Sequence, residues 1–470
     1  MSKLYIFAIG GTGSRVLRSL TMMLASGVKF GANEIVPIIV DPDKANKNLE
    51  RTVQLMNDYQ KVQKELHFTS ENQNKFFGTK INSTLTNYTL HIKDTNDKTF
   101  KQFIDYSQMS ETNQALVSML FSEKNLQSSM KVGFKGNPNI GSVVLNQIAN
   151  SEDFIAFANS FAQGDKIFII SSIFGGTGAS GFPLLLKTLR TNDQIPNFNL
   201  INQSEIGALT VLPYFKVKKD DNSEIDSSTF VSKAKSALAY YEKNIGGAGN
   251  NGVNALYFLG DDVNGMYENH EGGSIQNNDA HLIEFLGATA IVDFSHQAFE
   301  QGQTDYMELG IKDLQANQAV TFNELHDELH DMLYTPMTQY MLMANALTYK
   351  KSLYSNATDF ASNVHFQDFY TSRFFKNLEK LLKEYKNWLG EMRGNNRSLH
   401  LYNVECEEKP FEVVVGVKPK TVLSKHSNYH LITARLNSAI SKCNSKEMQD
   451  KFLEMFYLAT QRLVSEKLKK

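Results

Sequence analysis

Five short apolar runs constrain the fold of this 470-residue chain more than any other feature. Each run has the length of one strand and is apolar on both faces, as a strand buried inside a parallel sheet must be. Segments with helical spacing lie between runs, and parallel strands need such crossovers. The runs cover residues 4–9, 35–40, 167–173, 206–212 and 253–259. They predict an α/β fold with a doubly wound parallel sheet over the first 260 residues.

The first predicted domain covers residues 1–294 and has two additions to this sheet. Residues 44–130 are polar and rich in Asn, Gln, Lys and Thr, and we expect a mostly helical insertion there, over one edge of the sheet. Residues 279–294 are largely apolar and follow a glycine-bearing loop, which predicts a central helix through the middle of the molecule. A chain of this length has room for two or three domains.

Residues 295–470 lack the alternation of buried strands and helices that the first domain shows. Residues 295–345 are predicted to form a connection with a long helix from about 322 to 350. Residues 346–470 are predicted to form an α+β domain. Its expected elements are a helix over 366–388, two short strands over 399–404 and 411–417, and a final long helix over 429–467.

Composition and charge limit which cellular compartment and which binding partners we expect for this protein. Hydrophobic residues make up 41% and charged residues 21%, which is the balance of a globular protein. The net charge of -2 gives no general attraction to nucleic acid. Two cysteines and the lack of an 18-residue apolar stretch argue against a disulfide framework and a membrane span. We therefore expect a cytoplasmic protein without a nucleic-acid partner.

Two glycine-rich turns follow two of the predicted strands. They read IGGTGS at residues 9–14 and FGGTGAS at residues 174–180. Glycine lets the backbone approach a ligand closely, and the N–H groups that open the next helix favour negative charge. Because both turns lie at the carboxyl ends of strands in one sheet, we expect them to face one crevice. A polyphosphate is the ligand that fits two such turns.

The class of nucleotide depends on what surrounds these turns. The phosphate-loop NTPase motif requires a lysine directly after a glycine, and the sequence contains no Gly-Lys pair. Asp41, at the end of the second strand, stands where a dinucleotide-binding fold holds a ribose. The glycines at positions 10, 11 and 13 do not have the dinucleotide spacing, so an NAD-dependent oxidoreductase stays a distant alternative.

A third segment and the order of all the motifs point to one family. GFKGNPNIGS, at residues 133–142, is by itself either an ordinary turn or a third loop that contacts phosphate. Over residues 3–345 the chain resembles the tubulin/FtsZ superfamily of GTP-binding, filament-forming proteins. FGGTGAS, with Pro183 after it, is similar to the signature GGGTG(S/T)G, and GNPNIG is very like the third loop of the bacterial division branch. The other matches are AIGGTGSRV at 8–16, VDPDKA at 40–45, TVLPYF at 210–215 and NND at 277–279.

This resemblance implies a site for GTP or GDP with Mg²⁺. The residues that would contact the α- and β-phosphates are Gly10, Gly11, Thr12, Gly13 and Ser14. Those on the side of the β- and γ-phosphates are Gly175, Gly176, Thr177, Gly178, Ala179 and Ser180. Gly136 and Asn137 would approach the γ-phosphate, with Asp43 as a water-mediated contact to Mg²⁺. The remaining nucleotide-binding residues would be Asp41, Pro213 in the sugar-contacting loop, and Asn278 or Asp279 at the edge of guanine.

Three positions depart from the family pattern. Phe174 and Ser180 replace the first and the last glycine of the signature, and Phe174 could pack under the loop. Lys187 stands where the division proteins place a ribose-binding glutamate, so we expect the sugar contact to come from elsewhere.

The residues expected to hydrolyse GTP match the family only in part. In the superfamily, an acidic N-x-D-x-x-D loop after the central helix enters the site of the next subunit. Here AVTFNELHD at 319–327 offers Thr321 and Glu324 as catalytic residues supplied in trans, and the alternative set is Asp305, Glu308 and Asp313. Glu324 is equally explained as an acidic residue at a helix N-terminus. Hydrolysis is therefore expected to be slow or absent.

Two classes of function follow from the resemblance. The first is an FtsZ-like GTP-binding protein that assembles with itself head to tail and hydrolyses GTP slowly at subunit contacts, if at all. The second is a non-hydrolysing, nucleotide-gated sensor or scaffold in a bacterial multi-protein system, such as a defence system. A protein partner would dock on the C-terminal domain or on the insertion at 44–130.

Overall fold

The computed structural model describes most of the chain. The described residues are 2–43, 45–95, 97–131, 133–219, 225, 227–245, 252–262, 265–268, 272–312, 314, 318–348, 350–404, 409–420 and 428–468. The strands within them are β1 (Lys3–Ile9), β2 (Glu34–Val40), β3 (Lys80–Ile81), β4 (Lys166–Ser172), β5 (Ile206–Val211), β6 (Lys216–Val217), β7 (Ala255–Leu259), β8 (Met266–Tyr267) and β9 (Asp305–Met307).

The helices alternate with these strands in the first half of the chain and follow one another in the second. In the first half they are α1 (Gly10–Ala25), α2 (Lys47–Gln63), α3 (Phe100–Phe103), α4 (Glu111–Leu120), α5 (Glu123–Leu126), α6 (Pro138–Leu145), α7 (Glu152–Ser160), α8 (Gly176–Thr191), α9 (Phe198–Asn202) and α10 (Phe230–Asn244). In the second half they are α11 (Leu282–His296), α12 (Asp327–Thr348), α13 (Lys350–Asn356), α14 (Thr358–Asn363), α15 (Phe366–Phe369), α16 (Arg373–Gly394), α17 (Asn428–Ala439) and α18 (Met448–Leu463).

Seven strands form one parallel sheet, which confirms the predicted doubly wound α/β fold. The strand order is β3-β2-β1-β4-β5-β7-β9, and β6 pairs with β8 separately. The five predicted strands are β1, β2, β4, β5 and β7, each within two residues of its apolar run. Strands are added in opposite directions from β1 and from β4, which opens a crevice at the carboxyl ends of these two neighbours. Both glycine-rich turns leave the sheet at this crevice.

The central helix α11 begins at Leu282, three residues later than predicted. His281 caps it, because its Nδ1 accepts a hydrogen bond from the amide of Ile283 at 3.1 Å. The Glu284 carboxylate in turn accepts from the His281 amide at 3.2 Å, which completes a capping box. Residues 277–279 therefore precede the helix and do not open it.

The C-terminal part of the described chain is helical, so the two strands predicted there are wrong. Only single bridges form, between Leu399 and Val320 and between Tyr402 and Val414. Alternate residues there are apolar because they pack under α12, where the Tyr402 hydroxyl lies 3.2 Å from that of Thr338. The final helix is also not continuous. The Glu454 carboxylate accepts from the amides of residues 444 and 445, at 3.1 and 2.9 Å, and holds a turn between α17 and α18.

These helices share one hydrophobic core with the sheet domain. Trp388 of α16 is completely buried, and its Nε1 donates to the Ser19 hydroxyl on α1 at 3.2 Å. Its ring centroid lies 6.0 Å from that of Phe285 on α11. The C-terminal end of α16 is thereby held next to the start of the central helix. No helix among the described ranges is long and apolar enough to cross a membrane.

Candidate functional site

The two glycine-rich turns touch each other at the carboxyl ends of β1 and β4. Gly10 has a φ of +70°, a conformation that favours glycine. A Cβ atom added to Gly10 would lie 3.5 Å from the Cβ of Thr177 and 4.0 Å from the amide nitrogen of Gly178. The first turn therefore approaches the second turn at van der Waals distance, as their positions in the sequence predict.

The third loop, at residues 133–137, lies across the second turn. A Cβ atom on Gly176 would be only 3.1 Å from the amide nitrogens of both Gly136 and Asn137. Gly133, with a φ of +83°, lies near both Pro42 and the hydroxyl of Thr177. The loop after β2 thus joins the other three, and all four enclose one cavity of about 210 Å³.

Three helices begin at this cavity, and none of them has a side-chain cap. The N-cap residues are Ile9 for α1, Asn137 for α6 and Gly175 for α8, and no side chain accepts a hydrogen bond at any of these positions. The first amides of a helix have no partner within the helix and carry the positive end of its dipole. In α6 the first residue, Pro138, has no N–H, and the Asn137 amide donates to the Phe134 carbonyl oxygen at 2.7 Å. The first amides of α1 and α8 are therefore the ones that an anion with several oxygens would satisfy together.

Two buried aspartates border the cavity beside α2. Burial, with the nearby charge of Asp43, raises the pKa of Asp41 to about 7, although the Asp43 amide donates to its carboxylate at 3.0 Å. Burial also raises the pKa of Asp43. The Asp43 carboxylate accepts from the amides of Gly273 at 2.7 Å and Ala45 at 3.2 Å. Asp43 therefore ties two loops together at the place where the resemblance puts a water-mediated metal contact.

The described residues contain no cluster of three or more His, Cys, Asp or Glu side chains that could hold a metal ion. A Mg²⁺ ion in this cavity would therefore take most of its ligands from phosphate oxygens and water, as Mg²⁺ commonly does beside nucleotides. The Asp43 carboxylate fits such a role as an outer contact. Its two hydrogen bonds fix its position without using every lone pair of the carboxylate.

A second cavity, of about 280 Å³, continues from the first toward α16. After the nucleotide that the sequence resemblance predicts, we name the first the phosphate half and the second the base half. They share Arg15, Phe215, Tyr267, Glu268 and Asn278. The base half is also lined by Tyr214, Asn277, Asp279, His281, Gly394, Asn395 and Asn396. A larger groove of about 670 Å³, between α2 and α7, contains none of the residues predicted for the site.

The predicted residues divide between the wall of the cavity and its support. Those that line it are Gly11, Thr12, Asp41, Asp43, Gly136, Gly175, Gly176, Thr177, Asn278 and Asp279. Those that do not line it are Gly10, Gly13, Ser14, Asn137, Gly178, Ala179, Ser180 and Pro213. Gly13 and Gly178 bring their helices close to the sheet, because a Cβ would lie 2.6 Å from the carbonyl carbon of Ala8 and 2.5 Å from the carbonyl oxygen of Ser172, respectively.

The side chains around the second turn explain its departures from the family pattern. Ser180 lies inside α8 and donates to the Gly176 carbonyl oxygen at 2.7 Å, so a hydroxyl is accommodated there. Phe174 is buried, with its ring centroid 5.0 Å from that of Phe230 and 5.7 Å from that of Phe215. Phe174 thus packs among aromatic side chains and forms part of an apolar wall of the cavity.

A buried charge cluster that sequence reasoning missed joins the two halves. Arg15 lies one turn into α1 and its Nη2 contacts the Glu284 carboxylate at 2.7 Å and the Tyr214 hydroxyl at 2.6 Å. Burial raises the pKa of Glu284, and the charge of Arg15 opposes that rise. Burial, and then the charge of Arg15, lowers the pKa of His281 to about 4, so this imidazole is neutral near pH 7. An arginine on the buried face of the first helix was the available signal.

A second positive group missed from the sequence lies at the third loop. The Nζ of Lys233, on α10, donates to the carbonyl oxygen of Gly136 at 2.9 Å. Lys135 lines the phosphate half of the cavity. The site therefore has lysines close to its third loop, although it lacks the Gly-Lys pair of the phosphate-loop proteins.

Asn278 and Asp279, the residues predicted to read guanine, differ in orientation. The Asn278 amide donates to the side chain of Asn48 on α2 at 2.9 Å, and the two side chains also approach each other at 3.5 Å. Asn278 is thus tied to α2 at the junction of the two halves. Asp279 is exposed at the wall of the base half. Its carboxylate accepts hydrogen bonds only, which suits the N1–H and N2–H donors of guanine.

Thr321 and Glu324 lie outside the cavity, in the turn before α12. The Glu324 carboxylate accepts from the Thr321 amide at 2.8 Å and from the Thr321 hydroxyl at 2.5 Å. Next to them, the Val320 amide donates to residue 398, and Arg397 pairs with Asp261, just beyond the carboxyl end of β7. The turn therefore lies at the same end of the sheet as the cavity. In a head-to-tail contact, a residue supplied in trans would come from the opposite end.

The alternative catalytic set lies at the edge of the sheet. Asp305 begins β9, and Glu308 directly follows this strand. Neither residue lines the cavity. Asp313 lies outside the described residues.

Comparisons with known proteins give matches only among solved structures. No protein-family model matches the chain, and no curated protein matches it. An FtsZ variant from M. jannaschii is 14% identical over 55% of this chain and 46% of its own, with a TM-score of 0.28. CetZ from Methanosaeta thermophila is 14% identical over 55% and 46%, with a TM-score of 0.24. The GTPγS-bound CetZ2 protofilament from Haloferax volcanii is 12% identical over 55% and 49%, with a TM-score of 0.27. The chain spans about half the length of these structures.

Proposed function

We propose that this chain is a divergent tubulin/FtsZ-like protein that binds GTP or GDP in the two-part cavity. One observation carries the proposal: the uncapped N-termini of α1 and α8 open at the phosphate half beside the third loop, and the base half continues directly from it. The first amides of α1 and α8, with the Gly136 amide of the third loop, would hold the phosphates, and Mg²⁺ would offset their charge. The base would lie against Tyr214 and Tyr267, with Asp279 at its hydrogen-bonding edge.

The test of this proposal is a comparison of ligands in thermal unfolding. A ligand that binds the folded chain alone raises its unfolding temperature in proportion to the logarithm of its concentration. GTP and GDP with Mg²⁺ should raise it more than ATP or NAD⁺ at equal concentration. A larger shift with NAD⁺ would favour the oxidoreductase alternative, and no shift with any nucleotide would refute the proposal.

Self-assembly forms the second part of the proposal. A head-to-tail contact between copies is heterologous and continues into a filament. With GTP, the protein should then sediment above a threshold concentration, and any phosphate release per molecule should rise with protein concentration. Phosphate release that is flat with dilution, together with an absence of pelletable polymer, would remove assembly from the account.

The second candidate function is a nucleotide-gated sensor or scaffold that retains GTP. The observation in its favour is the position of Glu324, which is bonded to Thr321 at the cavity end of the sheet. On this account, GTP stays bound for hours without phosphate release, and the helical C-terminal part or the segment at 44–130 contacts a protein partner. Rapid turnover of GTP to GDP and phosphate would exclude this candidate.

A further inference from the structure

The carboxylate of Glu391, in the last turns of α16, joins three parts of the molecule. Its Oε2 accepts from Arg18 of α1 at 2.6 Å and its Oε1 accepts from the same guanidinium at 3.2 Å. Arg51 of α2 donates to Oε1 as well. Oε2 also accepts from the backbone amide of Ala280 at 2.9 Å. One side chain therefore links both helices beside the cavity to the residue that follows the segment at 277–279.

The same segment is held from two further directions. Arg51 donates to the Asn277 side chain at 3.0 Å and to the Asn278 carbonyl oxygen at 3.4 Å. Asn395, the residue after α16, donates to the Ala280 carbonyl oxygen at 3.0 Å and accepts from the Tyr267 hydroxyl. Both backbone groups of Ala280 are thus bonded to α16 or its cap. No bond of this kind links α16 to the four loops of the phosphate half among the described contacts.

The ion pairs with Arg18 and Arg51 alone would explain why a carboxylate is present at Glu391. Its role in charge balance must therefore be separated from its role in holding Ala280. Burial raises the pKa of Glu391, but the hydrogen bond from Arg18 and the charges of both arginines outweigh it, and the pKa lies below its ordinary value. The carboxylate is therefore charged and satisfies two cations. Glu384 lies two helical turns earlier on the same face of α16, with its carboxylate 3.9 Å from Arg18, and no described hydrogen bond or ion pair links it to residues 277–280. A role limited to charge balance would not need the bond to Ala280.

We infer that Glu391 is a positioning residue for nucleobase recognition, which fixes Ala280 and so aims the preceding residues 277–279 into the base half of the cavity. This inference rests on the proposed function, because it assigns a task to the site only when a nucleotide occupies it. It also makes the C-terminal helices part of the nucleotide site. Movement of α16, by a partner or by assembly, would change how well the base is held and leave the phosphate contacts in place.

The experiment measures binding of the base and of the phosphates separately. A fluorescent GTP analogue bound to the full-length protein is displaced by GTP and, in a parallel titration, by inorganic tripolyphosphate. In Glu391→Gln, GTP affinity should fall about tenfold, the size of one charge-assisted hydrogen bond, whereas tripolyphosphate affinity should stay within about twofold. Asn395→Ala should give the same selective loss through the other tether, and Glu384→Gln should change neither affinity.

Equal losses for both ligands, or no loss for GTP, would overturn the inference. If Glu391→Gln does not fold, the GTP and tripolyphosphate affinities of Asn395→Ala test the inference instead. Failure of the proposed function has a different signature, because the wild-type protein would then bind no GTP analogue at all.

Discussion

The two halves of the cavity are built by different means. The phosphate half is made mostly of backbone: the starts of α1 and α8 and the third loop, brought together by glycines. The base half is made of side chains from distant parts of the chain, with the buried pair of Arg15 and Glu284 at the junction. Backbone amides have fixed positions, and they no longer bind an anion when an added side chain obstructs them. A side-chain network is destabilised when one partner is removed, because the other partner is then buried without a hydrogen bond or an opposite charge.

The largest effect is expected for Arg15→Met, which leaves the Glu284 carboxylate buried and unpaired. Breaking a buried ion pair in this way costs about 3–5 kcal/mol of unfolding free energy. The matched control is Arg462→Met, since Arg462 is half exposed and its pair with Glu466 is worth about 1 kcal/mol or less. Urea unfolding measures both, and the double change Arg15→Met with Glu284→Gln should recover part of the loss. Equal losses in the two single variants would contradict the account of the junction.

The phosphate half is tested by Gly176→Ala. The added methyl group would lie 2.9 Å from the Cβ of Phe134 and 3.1 Å from two amides of the third loop, so the loop must move. We expect GTP affinity to fall about tenfold or more, which is about 1.4 kcal/mol or more.

The control for this change is Gly390→Ala, in the interior of α16, where an added methyl group meets no atom within 4 Å. It should leave affinity unchanged and stabilise the helix by up to about 1 kcal/mol. Calorimetric titration with GTP compares the two variants. Unchanged affinity in Gly176→Ala would show that the third loop does not hold the phosphates.

The stability of the folded protein should depend on pH through His281, which lines the base half. Its pKa is about 4 in the folded chain and 6.5 ordinarily, so between these values the unfolded chain binds a proton that the folded chain does not. Stability must therefore fall as the pH is lowered from about 6.5 to 4. His281→Asn keeps an oxygen to cap Ile283 but cannot titrate in this range. The thermal unfolding midpoint should change less between pH 7 and pH 5 in His281→Asn than in the wild type. An equal change in both proteins would refute the role of His281 in the pH dependence.

The smallest effect is expected for Glu324→Gln, outside both halves. The change weakens the local bonds to Thr321 and should cost about 1 kcal/mol of stability. GTP affinity should not change, because Glu324 does not line the cavity. A loss of phosphate release in this variant, under conditions where the wild type assembles, would instead restore the catalytic role that the sequence resemblance assigns to it.

The contrast between the halves also explains what could be predicted from the sequence. Gly10 and Gly176 lie in short motifs directly after apolar strands, and local rules place such turns at the carboxyl edge of a parallel sheet. Gly136 directly follows no strand among the described residues, so only the resemblance to the family predicted its place. Arg15, Tyr267 and Asn395 are brought together only by tertiary packing, over more than 370 residues of sequence.

The C-terminal part shows a related limit of sequence patterns. The apolar alternation around Leu399 and Tyr402 is typical of strands, yet here it serves packing under α12 with single bridges. The apolar period shows which side chains are buried, and only the neighbouring segments decide whether a ladder forms.

The most direct test is amide hydrogen exchange of the whole protein with and without GTP and Mg²⁺. The account predicts slower exchange at residues 11–12 and 175–177, where α1 and α8 begin, at residue 136 just before α6, and at 277–280 beside the base. The groove between α2 and α7 should be unaffected. Protection confined to that groove, or no protection at the starts of α1 and α8 while GTP is bound, would contradict the proposal that this cavity is the nucleotide site.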